Sequence, residues 1–93
     1  SIESGILTVD NDNRITYINH AGCAILESEL EILLGQDIIT LFPELENYLR
    51  SRVFPSHAPF HTNIVMKQSK IIGFSSSPLF DSENNTAGKI LIF

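Results

Sequence analysis

The chain reads as an α+β domain, an antiparallel sheet with short helices packed on one face. Three observations predict this. Two apolar runs, Gly5 to Val9 and Arg14 to Ile18, open the chain on either side of a cluster of turn formers. Helical caps and stripes then occupy His20 to Arg52. From Phe60 the apolar period changes from helical to two. Strands at both ends with helices between favour a sheet covered on one side.

The elements follow in order. Asp10-Asn11-Asp12-Asn13 is built to reverse the chain, because Asn and Asp bond their own backbone and tolerate left-handed angles. Asn19 stands at a helix N-cap, and His20 to Glu27 is the helix it starts. Ser28 and Glu31 fit a capping box, with Gly35 as the stop. Asp37 caps a short turn, Ile38 to Phe42, that ends before Pro43. These helices are too short to stand alone. Packing of Ile32, Leu33, Ile38, Leu41 and Phe42 onto a larger element must hold them.

Glu44 to Arg52 is the next predicted helix. Leu45, Tyr48, Leu49 and Val53 form its stripe, and its acids precede its bases. Pro55 and Pro59 bracket a loop. Phe60, Thr62, Ile64 and Met66 share one face of the third strand; His61, Asn63, Val65 and Lys67 share the other. Gln68-Ser69 reverses the chain. Ile71 to Phe80 is a long strand whose late Pro78 calls for an edge or a bulge. Asp81 to Gly88 is a polar turn, and Lys89 to Phe93 is the last strand.

The bulk composition narrows the function. At 93 residues the chain suits one domain with one core. The net charge of −5 and the lack of any Lys/Arg cluster beyond Arg50 and Arg52 argue against nucleic acid. Cys23 is the single cysteine, so no internal disulfide can form, and a reducing cytoplasmic setting is expected. No apolar run is long enough to span a bilayer. Asn84-Asn85-Thr86 matches the glycosylation pattern, which in the cytoplasm means only a polar turn. The chain starts without Met and ends inside a strand, so a piece of a longer protein is expected.

No catalytic constellation is found. Ser75, Ser76 and Ser77 alternate between strand faces and lack an elbow motif. His57 and His61 are four apart, but Pro55 and Pro59 argue against the helix that would let them share a metal. Gly-rich phosphate loops are absent.

Three stretches together resemble the PAS domain family, the sensory modules of bacterial signalling proteins. They are GILTVDNDNRITYIN with its following helix, LLGQDIITLFP, and SSSPLFDSENNTAGKILIF. One departure is Asn13, where the family often has Gly; Asn is the next best residue for a left-handed angle. The resemblance implies a five-stranded antiparallel sheet in the order 2-1-5-4-3. It also implies a sensor that dimerises and regulates an attached output domain. A histidine kinase of a two-component system is the leading output. An enhancer-binding transcription activator or a diguanylate cyclase is the alternative, and a small-molecule enzyme fragment the remote one. No enzymatic activity is expected in this stretch itself.

The family pattern also assigns faces. It turns Ile72, Phe74 and Ser76 toward the helices, beside Thr62, Ile64 and Met66 of the third strand. Leu7 and Val9 on the first strand, and Leu91 and Phe93 on the last, complete this candidate pocket. Its lining is mostly apolar. Either side chains fill it, which is the favoured reading, or a small apolar ligand does. Haem-binding members use a His on the helix before the third strand; here His57 is the nearest, so haem is not expected. Flavin sensors need a Cys between Gly35 and Pro43, which is lacking. The opposite face carries Ile6, Thr8, Ser75, Ile90 and Ile92, with Gly73 and Ser77. It is small and apolar, and it is predicted to form a homodimer.

Overall fold

Asp10 decides where the first strand stops. Its Oδ1 accepts from the backbone N–H groups of Asp12 at 2.9 Å and Arg14 at 3.0 Å, and Asn13 turns the corner at φ 63°. The structure, a computed structural model, describes residues 4–49, 60–65 and 71–93. Strands β1 (Ile6–Val9) and β2 (Ile15–Ile18) flank this turn. Asp81 builds a second turn the same way. Its Oδ1 accepts from Glu83 and Asn85 N–H, each at 2.9 Å, and Asn84 has φ 66°. This turn joins β4 (Ile71–Phe80) to β5 (Thr86–Ile92). The last strand thus begins three residues before the predicted Lys89. With β3 (Phe60–Val65), the strands form one antiparallel sheet in the order β2-β1-β5-β4-β3.

Both faces of the sheet are set by register. Leu7 pairs with Leu91, and Leu91 with Ser76, and all three are buried. Pro78 lies beyond the last β3 partner of β4, which is Ser76, and just before the register shift at Leu79/Phe80. Among the described residues it therefore costs no ladder bond to β3. A shift also interrupts the β1–β2 pairing at Thr8/Val9. That bulge explains why Ile15 and Ile18, three apart in a strand, are both buried.

The helices lie between β2 and β3. Asn19 caps α1 (His20–Leu26), accepting from Gly22 N–H at 2.8 Å. Glu27 ends it in the left-handed region at φ 54°. The capping box predicted at Ser28 and Glu31 does not form. α2 (Leu30–Leu33) begins one residue later, after Glu29, without a side-chain cap. The left-handed Glu27 and the extended Glu29 carry the chain between the two helices, so a hydroxyl cap at Ser28 has no helix start to serve. Gly35 takes its expected stop position at φ 84°. Asp37 caps α3 (Ile38–Leu41), accepting from Ile39 N–H at 2.8 Å.

The single helix predicted from Glu44 to Arg52 divides instead. A 3-10 turn, Pro43–Leu45, leads into α4 (Glu46–Leu49). Pro43 opens this turn, and residues 50–52 lie outside the described part. Leu33, Ile38, Phe42, Leu45 and Leu49 pack on the sheet's inner face with Leu7, Val9, Phe74 and Leu91. Ile32, predicted to pack, is 58% exposed; Ile39 is buried instead. On a helix of one turn only part of the surface can meet the sheet, and Leu33 takes that place on α2.

Candidate functional site

The site is built outward from β5, which lies between β1 and β4. Leu7, Val9, Phe74, Ser76 and Leu91 are buried on the inner face. Phe93 packs partly buried against them. Phe74 is the centre of an aromatic cluster. Its ring lies 5.0 Å from Phe93, stacked, and 5.7 Å from Phe42, tilted. Such contacts add directional preference to the area that the rings bury. The β3–β4 register sets Thr62 opposite Phe74, Ile64 opposite Ile72 and Phe60 opposite Ser76. The structure therefore brings Thr62 and Ile64 to the strand positions beside Phe74. Met66 and His57 lie outside the described residues.

This face also carries Lys89. It pairs with Val9 on one side and Pro78 on the other, two residues from Leu91. Period two along β5 would have assigned it inward. Lys89 is half-buried, and burial lowers its pKa from the ordinary lysine range. Its Nζ donates to Asn13 Oδ1 at 3.4 Å. The αL residue of the first turn thus doubles as the polar partner at this end of the inner face.

The outer face bears Ile6, Thr8, Ser75, Ser77, Ile90 and Ile92. Ile6 pairs with Ile92, Thr8 with Ile90, and Ser75 with Ile92 across three strands. Most are half-buried, and Ile92 is 42% exposed. Tyr17, opposite Thr8 and 52% exposed, extends this face onto β2. The Thr8 and Thr16 hydroxyls meet at 2.7 Å. Small, β-branched side chains leave this face shallow and apolar at its centre.

The two faces meet where the chain enters and leaves the sheet. Gly5 N–H donates to Phe93 O at 2.6 Å and Phe93 N–H to Gly5 O at 2.9 Å. The Phe93 ring lies over Gly5, where a Cβ would stand 2.6 Å from it. Asn19 ties the same region to α1. Its Oδ1 accepts from Ile6 N–H at 2.9 Å, and its Nδ2 donates to Ser4 O at 3.1 Å.

The chain's likenesses agree with this architecture. A family model described as "PAS domain" matches residues 1–59. Among solved structures, the PAS domain of the histidine kinase ThkA is 24% identical with a TM-score of 0.78, covering 98% of this chain and 97% of its own. A sensory box sensor histidine kinase from Vibrio cholerae is 17% identical with a TM-score of 0.73, over 98% of this chain and 79% of its own. The Aer2 receptor from Vibrio cholerae, described as a dual PAS-heme oxygen sensor, is 18% identical with a TM-score of 0.72, over 97% and 91%. No curated protein matches the chain.

Proposed function

The chain belongs to the PAS domain family, and from that premise we propose that it is a sensory and dimerisation module regulating an output domain in a longer cytoplasmic protein. The observation that carries this reading is the double role of β5. Leu91 is in the core, while Ile90 and Ile92 look outward. Phe93, at the strand end, stacks on Phe74 in the interior. A rearrangement around Phe74 therefore reaches both the outer face and the exit of the chain through one ring. A ligand or partner that favours one arrangement biases the output by that differential affinity.

A histidine kinase is the output we favour. The descriptions of two of the similar structures as parts of histidine kinases support it. We assign no catalytic step, metal or cofactor to this chain. Leu7, Val9, Phe74 and Leu91 dominate this face, and its polar members Ser76 and Lys89 are too few to supply a nucleophile, a base and an orienting group together. In this reading side chains fill the interior, and the packing of Phe42, Phe74 and Phe93 supports it.

Two measurements test the proposal. Native mass spectrometry of protein purified from cells should give the mass of the chain without an added group; a retained small molecule would replace the filled interior with a ligand site. Sedimentation at tens of micromolar should give a dimer that Ile92→Glu converts to a monomer. A monomeric wild type would remove the dimer from the proposal.

A further inference from the structure

A second surface stands apart from the sheet. A solvent-open groove of about 600 Å3 lies along α1 and the start of α2. Ile18, Cys23, Ala24 and Leu30 give it an apolar floor. Glu27, Glu29 and Glu31 give it a rim of exposed carboxylates. Among the described residues no Lys or Arg pairs with these three: Arg14 donates to Gly35 O and Lys89 to Asn13. On α2 and just after it, Leu30, Ile32 and Leu34 are also 41%, 58% and 43% exposed.

We propose that this groove binds an amphipathic helix of a protein partner, with two apolar anchors flanked by Lys or Arg. The charge selects the partner. Three exposed carboxylates on a chain of net charge −5 attract a cationic segment and speed its approach. The same charge repels anionic lipid and nucleic acid. Geometry selects the conformation. Five of its nine lining residues stand on α1 and α2, so side chains of two short helices form much of its surface. A helix satisfies its own backbone and needs only side-chain contact. The seven residues of α1 span about 10 Å, room for about two turns of a partner, hence anchors at i and i+4. The groove lies on the helices rather than on the outer sheet face, so this site does not depend on the sensory reading.

The test is an amide chemical-shift titration of the 93-residue chain with two synthetic helices of about 18 residues. Both carry Leu at i, i+3, i+4 and i+7; one has Lys and the other Glu at the flanking positions. The Lys peptide should shift the amides of residues 20–31 and bind at least about tenfold tighter than the Glu peptide. Glu27→Gln/Glu29→Gln/Glu31→Gln should abolish that preference, and the triple Lys variant should reverse it. Leu30→Ser should weaken both peptides alike. Thermal melts establish that each variant is folded, and the neutral Gln variant decides the matter if the Lys variant is not. Equal affinity for the two peptides overturns the proposal. So do shifts centred on Ile6, Ile90 and Ile92, or concentration-dependent shifts of residues 20–31 without peptide, which would make a second copy the occupant.

Discussion

Replacing Gly88 with Ala tests whether β1 and β5 must approach as closely as the structure has them. Gly88 is buried at φ 149°, next to the register shift between β4 and β5. A Cβ there would lie 2.0 Å from the Val9 carbonyl oxygen and 3.2 Å from Asp10 Cα. Both are backbone atoms, so no rotamer change relieves the overlap. A φ this far beyond the left-handed helical region is essentially reserved for Gly and costs roughly 1–3 kcal/mol for a residue with a Cβ. Forcing the strands apart adds roughly 1–3 kcal/mol, as overpacking does elsewhere. The sum, about 2–6 kcal/mol, is a large share of the roughly 5–15 kcal/mol that holds a domain folded. Gly35→Ala is the control for a positive φ without a close approach. Gly35 has φ 84° but nothing within 4 Å of its Cβ position, so only the backbone cost remains. In urea unfolding followed by circular dichroism, Gly88→Ala should lose more than Gly35→Ala by at least about 1 kcal/mol. Its melting temperature should fall by about 10 °C or more. Equal losses in the two variants would refute the close approach as the reason for glycine at 88.

Three further outcomes are expected. Asn19→Ala should cost about 2–3 kcal/mol, since it uncaps α1 and leaves the half-buried Ile6 N–H without its acceptor. Asn19→Asp keeps both acceptor roles but gives up the Nδ2 bond to Ser4 O, so it should lose less than Asn19→Ala though not nothing; equal losses by urea unfolding would contradict the cap. Phe74→Ala should cost about 3–5 kcal/mol by opening a cavity between Phe42 and Phe93, and chemical denaturation will show whether the loss is that large. Lys89 has its pKa lowered by burial. The unfolded chain therefore holds more protons between the depressed value and the ordinary lysine value, so stability must rise with pH across that window. Below the window the cost of burying the charge is fully present. Lys89→Met should be the more stable at neutral pH, with the gap closing in alkali; parallel urea midpoints across the pH series would disprove it.

Features governed by one residue's own chemistry were legible in the sequence. Asp10, Asn19, Gly35 and Asp37 each do what their side chain or its absence dictates. The inner positions Leu7, Val9, Phe74, Ser76 and Leu91 followed from strand alternation and the family pattern. What escaped depends on choices between neighbours. Ser28 and Glu31 satisfy a capping pattern, yet the chain starts α2 after Glu29, because Glu27 accepts a left-handed angle. Ile32 looks as apolar as Leu33, and only the direction in which α2 meets the sheet separates them. Lys89 escapes because a cation reads as exposed, although its long stem suits a half-buried position. The groove along α1 carries no motif. It arises from the spacing between two helices, which no local pattern encodes.

The paired backbone of Gly5 and Phe93 has a mechanical consequence. β1 and β5 are antiparallel, and their outer ends lie side by side. Tension applied through those two ends would pull across the ladder rather than along it. Each rung would then bear the load in turn, beginning with the Gly5–Phe93 pair, as a zipper opens from one end. Antiparallel strands loaded at opposite ends would instead share the force over all rungs at once. The sheet is thus compliant where the chain passes in and out. A modest pull or torque there frees the Phe93 ring from Gly5 and Phe74 before it disturbs Leu7 or Leu91 farther in.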